Sequence, residues 1–233
     1  MTVYLNGKYV DRGDAVVSVD DRGFVFGDGV YEVTRSRDGV LLEVDRHVRR
    51  LERSLAGLDL AYSPAELPAI SLRLLRDNGL ARGEATVYWQ VTRGAASPRT
   101  HQFPPAGTPV TIYASASPFA PLHEKRGTGV GTIVIPDQRW ARCDLKTVNL
   151  LPNVLAKQKA VAAGMHEAIL QRDGVVMEAR SSISISTTSW WQWQRTAKAR
   201  TSRSAALHRR LRHAWLVRQL VGTTTRPQMV SGF

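Results

Sequence analysis

The sequence has little cysteine and no long apolar run, and each shortage excludes a class of protein. Its single cysteine, Cys143, cannot form a disulfide within the chain, which suits a cytosolic enzyme. No run of about 18 or more apolar residues occurs, so we expect no transmembrane helix. Residues 1–10 also lack the basic and then apolar layout of a secretory signal peptide. These features predict a cytoplasmic protein that does not engage a membrane.

Acidic residues are missing from one end of the chain. Residues 187–233 contain no aspartate or glutamate, but nine basic residues: Arg195, Lys198, Arg200, Arg203, Arg209, Arg210, Arg212, Arg218 and Arg226. Subtracting these nine from the net charge of +12 leaves +3 for residues 1–186, which is ordinary for an enzyme. We therefore expect no nucleic-acid partner. A basic binding module in this tail is the weaker alternative, because its arginines form no helical stripe.

The first half of the chain alternates strand and helix signals. The turn pair Asn6-Gly7 predicts a hairpin, and glycines within the following β pattern indicate bulges or close backbone approaches. Asp45 and Ser63 are the predicted N-caps of two helices. The predicted strands lie at 3–5, 9–10, 16–35, 85–92 and 109–115, and the predicted helices at 45–57 and 63–77.

A region rich in proline and glycine at 118–129 predicts a linker. Beyond it the patterns predict a strand at 129–136, a helix at 151–163 that ends at Gly164, and a hairpin of 166–172 and 175–178 around Asp173-Gly174. This alternation predicts a two-domain α/β (α+β) chain. We expect an N-terminal domain at 1–119, a partial C-terminal domain at 120–186 and an aberrant basic tail at 187–233.

Three segments of the sequence, taken together, resemble those of a known enzyme family, which no single residue could show. They are the segment from Asp144 to Gln158 (DLKTVNLLPNVLAKQ), the hairpin from Glu167 to Glu178, and the segment from Asp21 to Val33 (DRGFVFGDGVYEV). In this order they resemble the fold-type-IV enzymes that depend on pyridoxal 5′-phosphate (PLP), and the resemblance spans residues 1–186. It implies the two-domain fold of that family, with the second domain incomplete, and a homodimer.

The resemblance also assigns the cofactor residues. Lys146 would be the lysine that binds PLP covalently and moves the substrate α-proton, a role that needs an amine. Glu178 would pair with the pyridine nitrogen. Arg50 would hold the phosphate, which suits a guanidinium fork, with Ser181 and Ser182 also at the cofactor. No metal is expected. Without the motifs, a lone lysine or glutamate would more often be a solvated surface charge.

The subtype rests on residues 93–104 (RGAASPRTHQFP), which resemble the loop of D-amino-acid aminotransferases. In that family Arg99 and His101, together with Tyr31, would bind the substrate α-carboxylate. The resemblance implies ping-pong transamination between a D-amino acid such as D-alanine and a 2-oxo acid such as 2-oxoglutarate or pyruvate. Aminodeoxychorismate lyase, branched-chain or R-amine transaminase and a non-catalytic relic stay open as alternatives.

The chain departs from the family after Glu178. Ile183 stands where the family has asparagine, and the Gly-(Ile/Val)-Thr-Arg loop that grips the phosphate through backbone amides is missing. With suitable codons, residues 212–215 (RHAW) would read Val-Thr-Arg-Gly one base later, which motivates the hypothesis that the tail is out of frame. We therefore expect weak cofactor retention and low or no activity in this chain. An intact DNA reading frame with similar tails in related chains would refute the frame hypothesis.

Overall fold

The computed structural model of the chain describes residues 1–120 and 129–179. Ser181, Ser182, most of the predicted linker and the basic tail therefore lie outside the described residues. The chain divides into two compact units, the first of Met1–Pro121 and Arg139–Leu150, and the second of Leu122–Gln138 and Leu151–Phe233. The domain boundaries expected from the sequence stay a prediction, and residues 139–150 cluster with the first unit.

An antiparallel sheet of six strands forms the centre of the first unit. Its strands are β1 (Thr2–Leu5), β2 (Lys8–Asp11), β3 (Gly29–Arg37), β4 (Val40–Leu41), β5 (Glu84–Thr92) and β6 (Thr111–Pro118). Their spatial order is β2-β1-β6-β5-β3-β4. The predictions of β1, β2 and β5 are confirmed, whereas β6 begins and ends later than the 109–115 predicted.

The first part of the β region predicted at 16–35 is wrong. Arg22–Phe26 form a short helix, α1, and β3 begins only at Gly29. Asp21 caps this helix, because its side chain accepts a hydrogen bond from the backbone N–H two residues on. Gly27 ends the helix in the left-handed conformation, at φ 70°. The caps at both ends favour a helix here more strongly than the apolar residues between them favour a strand.

The close approach of a neighbouring strand requires glycine at position 29, as the sequence predicted. A Cβ at this position would lie 2.8 Å from the carbonyl oxygen of Val91 on the neighbouring strand β5. Any side chain here would therefore force β3 and β5 apart at the end of β3 that precedes Tyr31. The sheet register at the candidate site depends on this glycine.

Two longer helices accompany the sheet, α2 (Val44–Gly57) and α3 (Leu67–Asp77). The prediction of Asp45 as an N-cap is wrong, because Asp45 lies in the first turn and Glu43 occupies the cap without a side-chain hydrogen bond. The helix predicted from Ser63 begins as a separate 3-10 turn, Pro64–Glu66. Proline favours a first-turn position because it has no backbone N–H to satisfy.

The core of the first unit lies where the two helices meet the sheet. Leu51 and Leu55 of α2, Leu74 of α3, and Val87 and Trp89 of β5 belong to one buried cluster. Alternate side chains of β5 are completely buried, as the period of two in a strand requires. Burial of each such large side chain contributes roughly 1.5–3 kcal/mol.

One polar bridge crosses this core. The completely buried Trp89 donates from Nε1 to the hydroxyl of Ser71 at 2.7 Å, and that hydroxyl donates to the carbonyl of Leu67 at 2.7 Å. Since Ser71 is also fully buried, no water can replace it without rearrangement of the core.

We expect Ser71→Ala to lower the free energy of unfolding by about 1–3 kcal/mol, because it leaves the indole N–H of Trp89 buried without an acceptor. Urea unfolding followed by tryptophan fluorescence measures this change. The control is Ser63→Ala, since Ser63 is exposed and makes no cap hydrogen bond. Equal stabilities of the two variants would contradict the importance of the bridge.

The second unit contains β7 (Thr132–Pro136), α4 (Leu151–Ala162), β8 (Glu167–Arg172) and β9 (Val175–Ala179). β7 pairs parallel with β8, and β8 pairs antiparallel with β9. The predicted hairpin is confirmed, with Asp173 and Gly174 at the positive φ values that a tight turn needs. The predicted helix is also confirmed within one residue of its C-terminal end.

Within residues 1–120 and 129–179, no helix has both the length and the apolar character needed to cross a membrane. The same residues include no cluster of three or more histidine, cysteine or acidic side chains that could hold a metal ion.

Candidate functional site

Lys146 lies in an irregular segment that runs beside the start of β3. The amide of Tyr31 donates to the carbonyl of Lys146 at 3.0 Å, and the amide of Val148 donates to the carbonyl of Gly29 at 3.1 Å. Val30 and Thr147 form an antiparallel bridge between these two bonds. The lysine segment therefore extends the sheet edge by a few residues, which fixes the backbone of Lys146 relative to Tyr31.

Helix α2 supports the same segment from its other side. The buried Ser54 accepts a hydrogen bond from the amide of Lys146 at 3.1 Å. The preceding Leu145 packs over Gly57, where an added Cβ would lie 2.5 Å from the Leu145 side chain. The small residues on this face of α2 thus let the lysine segment approach closely.

The amine of Lys146 lies over an aromatic face. Its Nζ is 4.1 Å from the ring centroid of Tyr31, within the range of a cation–π interaction. No carboxylate forms an ion pair with Lys146 among the described residues. Tyr31 in turn stacks on Tyr88 with ring centroids 5.7 Å apart. In the part of the chain that the structure describes, the amine is therefore positioned by a ring and not neutralised by an acid.

Tyr88 extends this aromatic surface and stays protonated. Burial, with the neighbouring Tyr31 and Tyr113, raises the pKa of the Tyr88 hydroxyl to about 12. That hydroxyl donates to the side-chain oxygen of Gln90 at 2.7 Å. At neutral pH, Tyr88 therefore presents an uncharged ring and a satisfied hydroxyl beside the lysine–tyrosine pair.

Arg50 of α2 reaches back to a buried carboxylate on β3. Its Nε donates to Oε1 of Glu32 at 2.5 Å and its Nη2 to Oε2 at 2.7 Å, a bidentate pair. Nδ1 of His47 lies 2.9 Å from Oε2 of the same carboxylate. Glu32 is completely buried, whereas the Arg50 side chain is 41% exposed. The guanidinium is thus anchored on one edge and open on the other.

The electrostatics of this group follow from its hydrogen bonds. Burial alone would raise the pKa of Glu32, but the hydrogen bonds from Arg50 and His47 outweigh it and hold the pKa below its usual value. The Glu32 hydrogen bond correspondingly raises the pKa of Arg50. Both partners are therefore charged throughout the neutral range.

Arg99 and His101 lie in the exposed loop between β5 and β6. The guanidinium carbon of Arg99 is 4.5 Å from the ring centroid of Phe26, and the His101 ring is 5.4 Å from the same centroid. Within the described residues, no hydrogen bond or ring contact joins either side chain to Tyr31 or Lys146. The structure therefore brings Arg99 and His101 together, but as a group apart from the lysine–tyrosine pair.

Glu178 belongs to the second unit, where it lies half-buried on β9 opposite Leu170 of β8. Ser181 and Ser182 lie outside the described residues. Of the residues named from the sequence, the first unit thus contains Lys146, Tyr31, Arg50, Arg99 and His101.

Sequence reasoning did not identify Glu32 as the partner of Arg50, although the pattern of β3 contains a signal. Alternate residues of β3 from Val30 to Ser36 face the core, and Glu32 occupies one of these positions. A carboxylate on the buried face of a strand needs a charged or hydrogen-bonding partner. Ser54, which supports Lys146, gave no comparable signal because serine is common on helix surfaces.

Comparison with known proteins finds a matching family and similar curated proteins. A family model described as amino-transferase class IV matches residues 29–185. D-alanine aminotransferase of Bacillus licheniformis is 45% identical over 185 residues, which cover 78% of this chain and 64% of that protein. D-alanine aminotransferase of Staphylococcus epidermidis is 45% identical over 182 residues, covering 77% and 64% respectively. The chain thus spans just under two thirds of the length of these curated relatives.

Solved structures share the fold. A hypothetical aminotransferase from Mycobacterium tuberculosis in its PLP-bound form superposes with a TM-score of 0.64 at 24% identity, over 77% of this chain and 65% of that one. The branched-chain aminotransferase of Thermoproteus uzoniensis with norvaline gives a TM-score of 0.64 at 25% identity, over 77% and 62%. The mixed α/β architecture is therefore the fold-type-IV architecture expected from the sequence.

Proposed function

We propose that this chain, which belongs to the amino-transferase class IV family, transfers the amino group of a D-amino acid to a 2-oxo acid with PLP as cofactor. D-alanine is the first candidate donor, and 2-oxoglutarate or pyruvate the candidate acceptor, since the most similar proteins named above are D-alanine aminotransferases. The observation that carries the proposal is the amine of Lys146, which lies over the Tyr31 ring without an acidic partner among the described residues.

The side chains present fit PLP. Arg50 uses Nε and Nη2 for Glu32, which leaves its Nη1 without a hydrogen-bond partner in the described part of the chain, on a side chain that is 41% exposed. A free guanidinium edge suits a phosphate, and the amine of Lys146 suits the aldehyde. In our proposal Glu178, Ser181 and Ser182 complete the cofactor set, with Glu178 at the pyridine nitrogen.

When bound, PLP supplies a cationic ring that takes up the electron pair left on the α-carbon of the amino acid. The protein residues do the rest. Lys146 is the general base that removes the α-proton and the acid that returns a proton, and its backbone anchors keep it within reach. The Tyr31 ring orients its amine, and the Glu32–Arg50 pair fixes the cation for the phosphate.

Substrate recognition is the second part of the proposal. Arg99 and His101 both lie against the Phe26 ring, so the loop offers two donors to a single carboxylate. In our proposal Tyr31 is a third contact made through the substrate, since no direct bond joins it to this loop within the described residues. Branched-chain aminotransferases would not be expected to carry this Arg-x-His pair, which is why a D-amino acid is favoured. We also propose a cytoplasmic homodimer, as the resemblance implies.

The test is a product assay on the purified full chain with added PLP. We expect D-alanine and 2-oxoglutarate to give pyruvate and D-glutamate, and L-alanine to give neither. Turnover of an R-amine or of aminodeoxychorismate instead would support the corresponding alternative. No PLP bound at equilibrium dialysis and no product with any of these substrates would contradict the proposal and favour a non-catalytic relic.

A further inference from the structure

Arg22 is a buried arginine that the catalytic proposal does not use. Its side chain is only 6% exposed, and its Nε donates to Oδ2 of Asp28 at 2.9 Å. Its Nη1 donates to the carbonyls of Thr100 at 2.9 Å and Gln102 at 3.1 Å. A charge buried to this extent must be matched by partners, and Arg22 finds two of them in a loop far along the chain.

These two carbonyls flank His101. Arg22 therefore fixes the backbone on both sides of this residue, and the first of the two carbonyls also follows directly on Arg99. The loop from Ala95 to Phe103 contains no helix or strand of its own beyond one isolated bridge at Ala95, and its side chains are mostly exposed. Another backbone anchor of the loop is near its start, where the amide of Ala96 donates to the carbonyl of Asp20 at 3.2 Å.

The ring of Phe26, one turn after Arg22 in α1, forms the second part of this support. The guanidinium carbon of Arg22 lies 4.7 Å from its centroid, and that of Arg99 lies 4.5 Å from it. His101 packs against the same ring. The short helix α1 therefore holds the loop in two ways. Arg22 binds the loop backbone, and Phe26 contacts the side chains of Arg99 and His101.

Asp28 connects Arg22 to Arg93, which lies just before the loop. Its Oδ2 also accepts from Nε of Arg93 at 2.8 Å, and Arg93 lies 3.7 Å from the ring centroid of Phe103 at the far end of the loop. Arg93 further donates to the carbonyls of Leu58 and Asp59. One carboxylate thus aligns two arginines that hold both ends of the loop.

We propose that Arg22 is a positioning residue that clamps the 95–103 loop, so that Arg99 and His101 are held ready for a carboxylate before it binds. This inference rests on the proposed function for the identity of the ligand, but the clamp itself does not. Holding the loop in advance spares the ordering cost that binding would otherwise carry. Its loss should weaken substrate capture more than the chemical step.

The direct test is limited trypsin digestion, because trypsin cuts after the exposed Arg99 only where the loop backbone is free to enter the protease. Arg22→Lys keeps the charge but removes the fork that reaches Asp28 and both carbonyls at once. We expect the rate of cleavage between Arg99 and Thr100, followed by mass spectrometry, to rise about tenfold in this variant.

The matched control is Arg35→Lys. Arg35 also lies over an aromatic ring, 4.5 Å from the Phe119 centroid, and pairs with a carboxylate, Glu84, but neither partner is in the loop. Cleavage after Arg99 should be unchanged in this control. Equal cleavage in wild type, Arg22→Lys and Arg35→Lys would overturn the clamp, whether or not the protein transaminates.

The second readout is the split between KM and kcat for D-alanine. We expect Arg22→Lys to raise KM about tenfold and to change kcat by less than about twofold, since a loosened loop binds the carboxylate less well. A fall in kcat at constant KM would indicate a loss of folded enzyme only and would overturn the positioning role. Wild-type protein that is inactive with D-alanine would refute the proposed function. The cleavage rates would still show whether Arg22 holds the 95–103 loop in place.

Discussion

Replacing Lys146 with alanine is expected to reduce transamination of D-alanine at least about a thousandfold, because one amine both holds the cofactor and moves the α-proton. The backbone of Lys146 is fixed by bonds to Tyr31 and Ser54, which do not involve its side chain. The fold should therefore survive the change, and the loss should lie in the chemistry. Pyruvate formation under saturating D-alanine measures it.

Borohydride treatment of the protein with PLP gives an independent readout, since reduction makes a lysine–cofactor bond permanent. We expect peptide mass spectrometry to find the cofactor mass on Lys146 in wild type and nowhere in Lys146→Ala. Lys159→Ala is the matched control, because Lys159 is an exposed lysine on α4. Labelling of another lysine in wild type, or full activity of Lys146→Ala, would refute the assignment.

The parts of the fold that the sequence predicted are those with strong local signals. The Asn6-Gly7 and Asp173-Gly174 turns specify their hairpins because both residues accept positive φ. The β region at 16–35 was predicted wrongly at its start because its apolar residues suggested a strand, while the cap at Asp21 and the left-handed Gly27 favour a helix. Short capped helices carry too few residues for a clear period.

The candidate site was predictable as a set of residues but not as an arrangement. Motif resemblance indicated Lys146, Tyr31 and Arg50, yet no local pattern shows that the lysine segment pairs with the start of β3. Such pairing is a long-range backbone contact that depends on the sheet register. The partners Glu32 and Arg22 were missed for a related reason, because a charged residue is normally assigned to the surface unless its burial is known.

Replacing Glu32 with glutamine is expected to lower the free energy of unfolding by about 3 kcal/mol and to weaken PLP retention. The carboxylate accepts from Arg50 twice and faces His47, whereas an amide would place an NH2 group against one of these donors. Removal of one partner of a buried ion pair usually costs about 3–5 kcal/mol. The lower value applies because the Arg50 side chain is partly exposed.

The two effects are measured separately, by urea unfolding of the protein without cofactor and by equilibrium dialysis of PLP. Glu43→Gln is the control, because Glu43 is an exposed glutamate that pairs with Arg46 within one helical turn. We expect no resolvable change in either quantity for this variant. Wild-type stability and PLP affinity in Glu32→Gln would show that Arg50 does not depend on its buried partner.

The pH dependence of stability provides a further check on Glu32, and its sign follows from the lowered pKa. Because hydrogen bonds to Arg50 and His47 hold the folded-state pKa of Glu32 below its usual value, its stabilising contribution is complete above the unfolded pKa. It is lost as the pH falls below the unfolded pKa and through the lower folded pKa. Wild type should therefore lose stability more steeply than Glu32→Gln in this acidic range, and the stabilities of the two proteins should converge. Parallel curves down to the acid transition would mean that Glu32 is not charged in the folded protein.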